Sequence, residues 1–355
     1  MKKILVLLLS VLFSFLQQPV ACTTFFINHN GEMIFGRNYD WVSETGMVCS
    51  NMRGLSKTSI KMPDGNTIHW VSKYGSMTFN QFGKEFPTGG MNEKGLVVEL
   101  MWADGTQYPQ QDKRPAIGVL QWIQYQLDNN ATIEEVIASD KDIRISTDNP
   151  PLHYLVADAT GNAATIEFYN GKAVVHKGRD LPFPVLTNST YQESAKTAID
   201  AKVLTGNKNF SIQDNSLQRF TKACSMVQEY QKQPTGKQPV EYAFNILSAV
   251  AQNDYTKWSI VYDMKNKKVY FKTASYQDIK SFVFNAFDFN CDTRSKMTDM
   301  NRDLKGDISK MFIPFNTDIN REIIKKAVSV SRRRVEITDA ETEAAVSYTG
   351  TVKCN

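Results

Sequence analysis

Beyond residue 21 the chain has no apolar run approaching the ~20 residues that a membrane-spanning helix needs. It has no C-x-x-C pair, and its four histidines (His29, His69, His153 and His176) stand singly, so no zinc site is expected. Charge of one sign is also scarce: 41 Lys and Arg against 37 Asp and Glu give +4, of which Lys2 and Lys3 supply two. That balance excludes an electrostatic footprint for nucleic acid. The basic triplet Arg332–Arg334 reads as a solvated tail segment. Internal repeats, low-complexity stretches and Gly/Ser-rich hinges are absent, so residues 22–355 read as one domain, with an uncertain C-terminal extension over about 316–355.

What is present begins with a leader. Lys2 and Lys3 precede an apolar core, Ile4–Leu16, and the small residue Ala21 stands before Cys22. Residues 1–21 thus read as a signal peptide and the product as exported, either periplasmic or secreted. Cys22, Cys49, Cys224, Cys291 and Cys354 are an odd set, which in an exported protein implies one free thiol. The sequence does not pair the other four.

Alternation predicts two strands around Asn30-Gly31, in the stretch from Thr23 to Trp41. "GLVVELMW", "LHYLVAD", "AATIEFY", "KAVVHK" and "WSIVYDMKNKKVYFKT" predict further strands. Helical spacing appears in "PAIGVLQWIQYQLDN", "SLQRFTKACSMVQEY" and "VEYAFNILSAVAQ"; in "TIEEVIAS", Thr132 and Glu135 form a capping-box pattern. Strands come in runs and so do helices, which predicts an α+β fold of antiparallel sheets faced by helices.

Cys22 is the chemical focus. A cysteine that becomes the first residue carries its own base, because a free α-amino group has an ordinary pKa of about 7.7–8.0. The amine can take the thiol proton and needs no histidine. Such a site further requires a carboxylate to hold the amine, donors for a tetrahedral oxyanion and a cation to favour the thiolate. "GRNYDW" offers Arg37 and Asp40 on the strand returning beside Cys22. A surface ion pair is the alternative reading of those two. A diacylated Cys22 on a lipid-anchored binding protein is the alternative for the cysteine, although "PVAC" is a poor lipobox. Pro19 is also awkward for ordinary signal peptidase, so the cut itself stays open.

The order of Cys22-Thr23, "GRNYDW", "GGMNEKGLVVELMW", "VLTNS" and "SLQRF" resembles the choloylglycine hydrolase family, the bile salt hydrolases and penicillin V acylases among the N-terminal nucleophile hydrolases. The likeness runs from Cys22 to about Thr273. It implies an αββα sandwich and hydrolysis of a linear amide C–N bond, with Cys22 as nucleophile and no cofactor or metal. Arg37 and Asp40 match the family's arginine and amine-binding aspartate. Asn188 matches the oxyanion-hole asparagine, and Arg219 the arginine near the thiolate. An acyltransferase using the same thioester is the runner-up activity.

Three departures stand out. Trp102 occupies a position that is often Asn or Tyr, which resembles the Gram-negative branch and points to its backbone N–H as second oxyanion donor. Tyr39 replaces the commoner Met or Leu. Only 30 residues lie between Asn188 and Arg219, so an assembly hairpin of some members is expected to be short and the homo-oligomeric state stays open. Phe25, Phe26, Trp41 and Trp102 are the expected apolar acyl site, with core packing an equal explanation. The implied partner is a small-molecule amide, with conjugated bile salts, penicillin V and N-acyl-homoserine lactones as candidates.

Overall fold

The computed structural model describes residues 22–232 and 238–354; the expected signal peptide lies outside the described residues. Two large sheets dominate. In the first, seven strands run Val185–Leu186, Thr23–His29, Glu32–Asp40, Thr256–Asp263, Lys268–Thr273, Lys280–Val283 and Gly306–Asp307. In the second, nine strands run Lys172–Lys177, Ala163–Tyr169, Leu152–Ala157, Val97–Trp102, Gly89–Asn92, Ser76–Asn80, Met47–Asn51, Lys296–Asp299 and Ile313–Pro314. Every adjacent pair is antiparallel except the last pair of the first sheet. The hairpin turn falls at Asn30 and Gly31, both at positive φ, as its sequence requires.

Helices cover the outer faces. Helices α1 (Val119–Asn129) and α2 (Ile133–Ala138) lie on the nine-stranded sheet, where Trp122, Ile123 and Leu127 pack with Val98, Leu100 and Tyr154. The expected capping box is present: the Thr132 side chain accepts from the Glu135 amide, and the Glu135 carboxylate accepts from the Thr132 amide. Helices α3 (Tyr191–Asp200), α4 (Asn215–Lys232) and α5 (Pro239–Ala249) cover the seven-stranded sheet. Between the sheets lies an apolar layer that includes Phe26, Phe35, Phe79, Val97 and Met101. The layers are those of the αββα sandwich. Among the described residues no helix is long and apolar enough to cross a membrane.

The C-terminal region departs from the tail that composition suggested. Helix α6 (Thr317–Ser331) puts Ile323 on Met47, Cys49 and Met297, the outer face of the nine-stranded sheet. Helix α7 (Asp339–Tyr348) packs back on α6 through Val346, Ile324 and Val328. The last strand, Lys353–Cys354, pairs with Leu55–Thr58, and Cys354 is disulfide-bonded to Cys291. Arg332 and Arg333 are solvated as expected, but the residues just after them turn inward.

The cysteine count also needs correcting. One free thiol was expected, and three are present: Cys22, Cys49 and Cys224. Cys49 faces α6 from the nine-stranded sheet, whereas Cys224 sits on α4 over the other sheet, so the sandwich itself keeps them apart.

Candidate active site

Cys22 immediately precedes the strand Thr23–His29 and is 3% exposed at the floor of a cavity of about 290 Å³. The neighbouring strand returns antiparallel, and its last residue, Asp40, comes back to Cys22: the thiol lies 3.8 Å from the Asp40 carbonyl oxygen. Burial pushes the Cys22 thiol up to about 11, with Arg37 as the strongest opposing influence. A thiol so placed is not ionised in advance near neutrality, and needs a base at the moment of attack.

The Asp40 carboxylate is fully buried. Its Oδ1 accepts from Thr256 Oγ1 at 2.6 Å, while its Oδ2 has no hydrogen-bond partner among the described residues. Burial pushes this carboxyl up to about 7, against the pull of Arg219 and the Thr256 hydroxyl. Thr256 reaches Asp40 because a bulge between Thr256 and Trp258 shifts the register of the central strand pair. Nothing in the local sequence announces that contact.

Arg219 arrives from the helix layer, and Asn188 from the turn after the edge strand Val185–Leu186. Ser216 and Arg219, three apart on α4, share a face. Ser216 Oγ accepts from the amides of Asn188 and Ser189 at 3.0 and 2.9 Å and so fixes that turn. Arg219 Nη1 donates to the Cys22 carbonyl at 2.6 Å and to Thr23 Oγ1 at 2.5 Å, and Nη2 donates to Asn188 Oδ1 at 2.9 Å. Because a guanidinium only donates, this contact settles the amide orientation: the Asn188 NH₂ faces the Trp102 carbonyl, 2.8 Å away. His153, buried on the nine-stranded sheet, bridges Glu167 and the Thr187 carbonyl just before Asn188.

Trp102 closes this side. Its indole N–H donates to Asp104 at 2.7 Å, and its ring tilts against Trp41 with centroids 6.2 Å apart. The amide of Ala103 donates to Pro151 and that of Leu100 to Thr88. Strand alternation therefore turns the Trp102 N–H to the Thr88 side, where the pairing with Gly89–Asn92 has ended.

Arg37 acts from further below. Its guanidinium binds Glu99, the Thr88 carbonyl and the Leu100 carbonyl, and its hydrogen bonds leave Cys22 untouched. Burial works against the Arg37 charge, and Glu99 together with Cys22, Tyr39 and Tyr262 outweighs it. Tyr262 donates to the other Glu99 oxygen at 2.5 Å. The first glycine of "GGMNEKG" has a structural reason: a Cβ at Gly89 would run into the Glu99 carboxylate.

The structure thus gathers Cys22, Arg37, Asp40, Trp102, Asn188 and Arg219 around one end of the sandwich, with Trp41 in the cavity wall. Phe25 and Phe26 do not join them. Both are core residues, at 0% and 2% exposure, because their strand lies inside a sheet covered by helices on one face and by the second sheet on the other. Tyr39 does line the cavity, stacked on Trp258 at 4.4 Å with its hydroxyl on Gln81. The sequence reading missed Thr256, Ser216 and Glu99, and it missed the apolar wall supplied by α6 and α7.

Comparison with known proteins decides the family. The profile of the linear amide C–N hydrolases, choloylglycine hydrolase family, matches residues 22–299, well over half of the chain. This chain belongs to the choloylglycine hydrolase family. The choloylglycine hydrolase match starts at Cys22 itself. A penicillin V acylase of Pectobacterium atrosepticum is 28% identical over 301 residues, covering 72% of this chain and 78% of that protein. Penicillin V acylase from Agrobacterium tumefaciens superposes with a TM-score of 0.71 at 25% identity, covering 83% of this chain and 98% of that one. A variant of conjugated bile acid hydrolase from Clostridium perfringens shares the fold, with a TM-score of 0.66 at 18% identity over 80% of this chain and 99% of that one. Membership of the choloylglycine hydrolase family makes the chain a linear amide C–N hydrolase.

Proposed function

We propose that this protein is an exported amidase that splits an apolar acyl group from an amine, using Cys22 as an N-terminal nucleophile once residues 1–21 are removed. The observation that carries the reading is Asp40: a buried carboxylate oxygen with no hydrogen-bond partner among the described residues, on the residue whose carbonyl lies against the Cys22 thiol. A newly freed α-ammonium on Cys22 would supply the missing donor.

In the reaction, the α-amine takes the thiol proton as sulfur attacks the amide carbon. The tetrahedral oxyanion receives hydrogen bonds from the Asn188 NH₂ and the Trp102 backbone N–H. The α-ammonium returns its proton to the departing amine, and a thioester remains on Cys22. Water, deprotonated by the same amine, then attacks the thioester and releases the carboxylic acid and the thiol. Arg219 keeps the Cys22 carbonyl and the Asn188 amide in register through this cycle. The likeness to a penicillin V acylase supports an acyl group on an amine as substrate class, and the apolar lining beside Trp41 and Trp102 supports that cavity as the acyl site.

The test pairs mass spectrometry of the mature N-terminus with hydrolysis assays of penicillin V, glycine- and taurine-conjugated bile salts and N-acyl-homoserine lactones. A free Cys22 amine, with turnover abolished in Cys22→Ala, is the expected result. A lipid-modified Cys22, or full turnover by Cys22→Ala, would sink the mechanism.

A further inference from the structure

The family match ends at residue 299, yet the cavity onto which Cys22 opens does not end with it. Part of its apolar wall comes from beyond that point: Ile324 and Val328 of α6, Val335 and Ile337 of the connection, and Ala344 and Ala345 of α7.

This wall is built in, not merely laid against the surface. The Trp41 indole N–H, one residue from Asp40, donates to Ser331 Oγ at 2.8 Å with both groups buried. Asn320 Oδ1 accepts from the Lys84 amide at 3.0 Å, and the Tyr348 hydroxyl donates to the Thr58 carbonyl at 2.9 Å. Ile324 fills the space over Gly83, which has φ +105°; any side chain there would meet the Ile324 methyl at 2.6 Å. The Phe86 and Tyr348 rings pack edge to face at 5.2 Å. The Cys291–Cys354 disulfide closes the far end. The loop Phe82–Phe86, itself part of the cavity lining, is thereby fixed by residues from outside the matched region.

We propose that residues 316–354 form an acyl-selecting strap, whose inward apolar side chains set the length of acyl group that reaches Cys22. The inference rests on the amidase reading above and adds to it the part of the chain that makes the choice. A strap residue that touches only the acyl group changes which substrate is accepted, and leaves the thiol, its base and the oxyanion donors where they are. One methylene in an apolar pocket is typically worth about 10-fold or more in discrimination. Small residues such as Ala345 therefore act as stops as much as the larger ones do.

The experiment measures kcat/KM for a series of N-acyl-p-nitroanilides, butyryl to dodecanoyl, with the mature full-length protein and two variants. Ala345→Phe fills the cavity and is expected to lower the ratio of decanoyl to butyryl turnover about 10-fold. Ile337→Ala, a change at a half-buried position, opens it and is expected to shift the preferred chain towards longer acyl groups. Ratios within about twofold of the parent in both variants, with melting temperatures showing that they are folded, would overturn the strap's role while leaving the amidase reading intact. If Ala345→Phe does not fold, Ile337→Ala decides alone. A parent protein inert on this series would overturn the strap's role as an acyl-length selector, and one inert on the amide panel above as well would overturn both readings.

Discussion

Arg219 donates to Asn188 Oδ1 at 2.9 Å, and this single contact determines which end of the amide faces Trp102. Asn188 is a proposed oxyanion donor, so its orientation is a kinetic matter. Asn188→Ala should lower kcat by about 10²–10³, the usual cost of one lost oxyanion donor, with the melting temperature little changed. Arg219→Lys should also lose most of kcat, because an ammonium cannot bridge Cys22, Thr23 and Asn188 as the guanidinium does. Steady-state kinetics beside thermal unfolding checks both; a change confined to KM would refute the oxyanion role.

Asp40 offers a prediction about pH. A carboxylate beside the α-ammonium favours the charged form of the amine, so it raises that pKa, and activity is lost as pH falls through it. Asp40→Asn removes this stabilisation. The acid limb of kcat/KM should then move to lower pH, by about one to three units, while kcat itself falls because the base is no longer held. An acid limb that stays in place in Asp40→Asn would show that the base is held by something else.

The Arg37–Glu99 pair spans the two sheets with both side chains fully buried. Removing one partner strands a charge, so Glu99→Gln should cost about 3–5 kcal/mol in denaturant unfolding. The double replacement Arg37→Met with Glu99→Leu should recover much of that stability, since apolar groups fill the same space without a desolvation penalty. Full activity in that double variant would show that the Arg37 charge does nothing for Cys22.

A second buried cluster ties the strap's neighbourhood together. Lys57 meets Glu85 at 2.5 Å and Asp128 at 2.8 Å, and Lys84 meets Glu85 at 2.5 Å. Burial alone would raise the Glu85 pKa, but Lys57 and Lys84 override it and hold the carboxyl down at about 2. Its unfolded value is 4.5, so the stability it contributes is present above that pH and disappears as pH falls to about 2. Melting temperature should therefore decline across that window, and Glu85→Gln should flatten the decline. An equally steep decline in Glu85→Gln would assign the acid sensitivity elsewhere.

Much of the fold was legible because its cues are local. Asn30-Gly31 fixes a turn, Thr132 and Glu135 start a helix, and alternation marks the strands. Asp40 was legible beside Cys22 because the hairpin places one strand's end next to the other's beginning. Asn188 and Arg219 were found only through the order of motifs, since one sits in the turn after Val185–Leu186 and the other on α4, both far from Cys22 in sequence. Thr256 and Glu99 left no trace: each contact depends on the register or facing of strands far apart in sequence. Phe25 and Phe26 misled because alternation predicts one wet face, and a strand inside the sandwich has none.

The family match stops at residue 299, and the wall of the cavity beside Cys22 continues past it. Every proposed reacting group lies before it, and a wall of the acyl cavity lies after it. A chain cut there would lose a strand from each sheet and the buried Trp41–Ser331 bond, and its reaction chamber would lie open to water on one side. On the strap proposal, changes to its inward side chains would refit one hydrolytic apparatus to a different acyl group with every reacting group left in place.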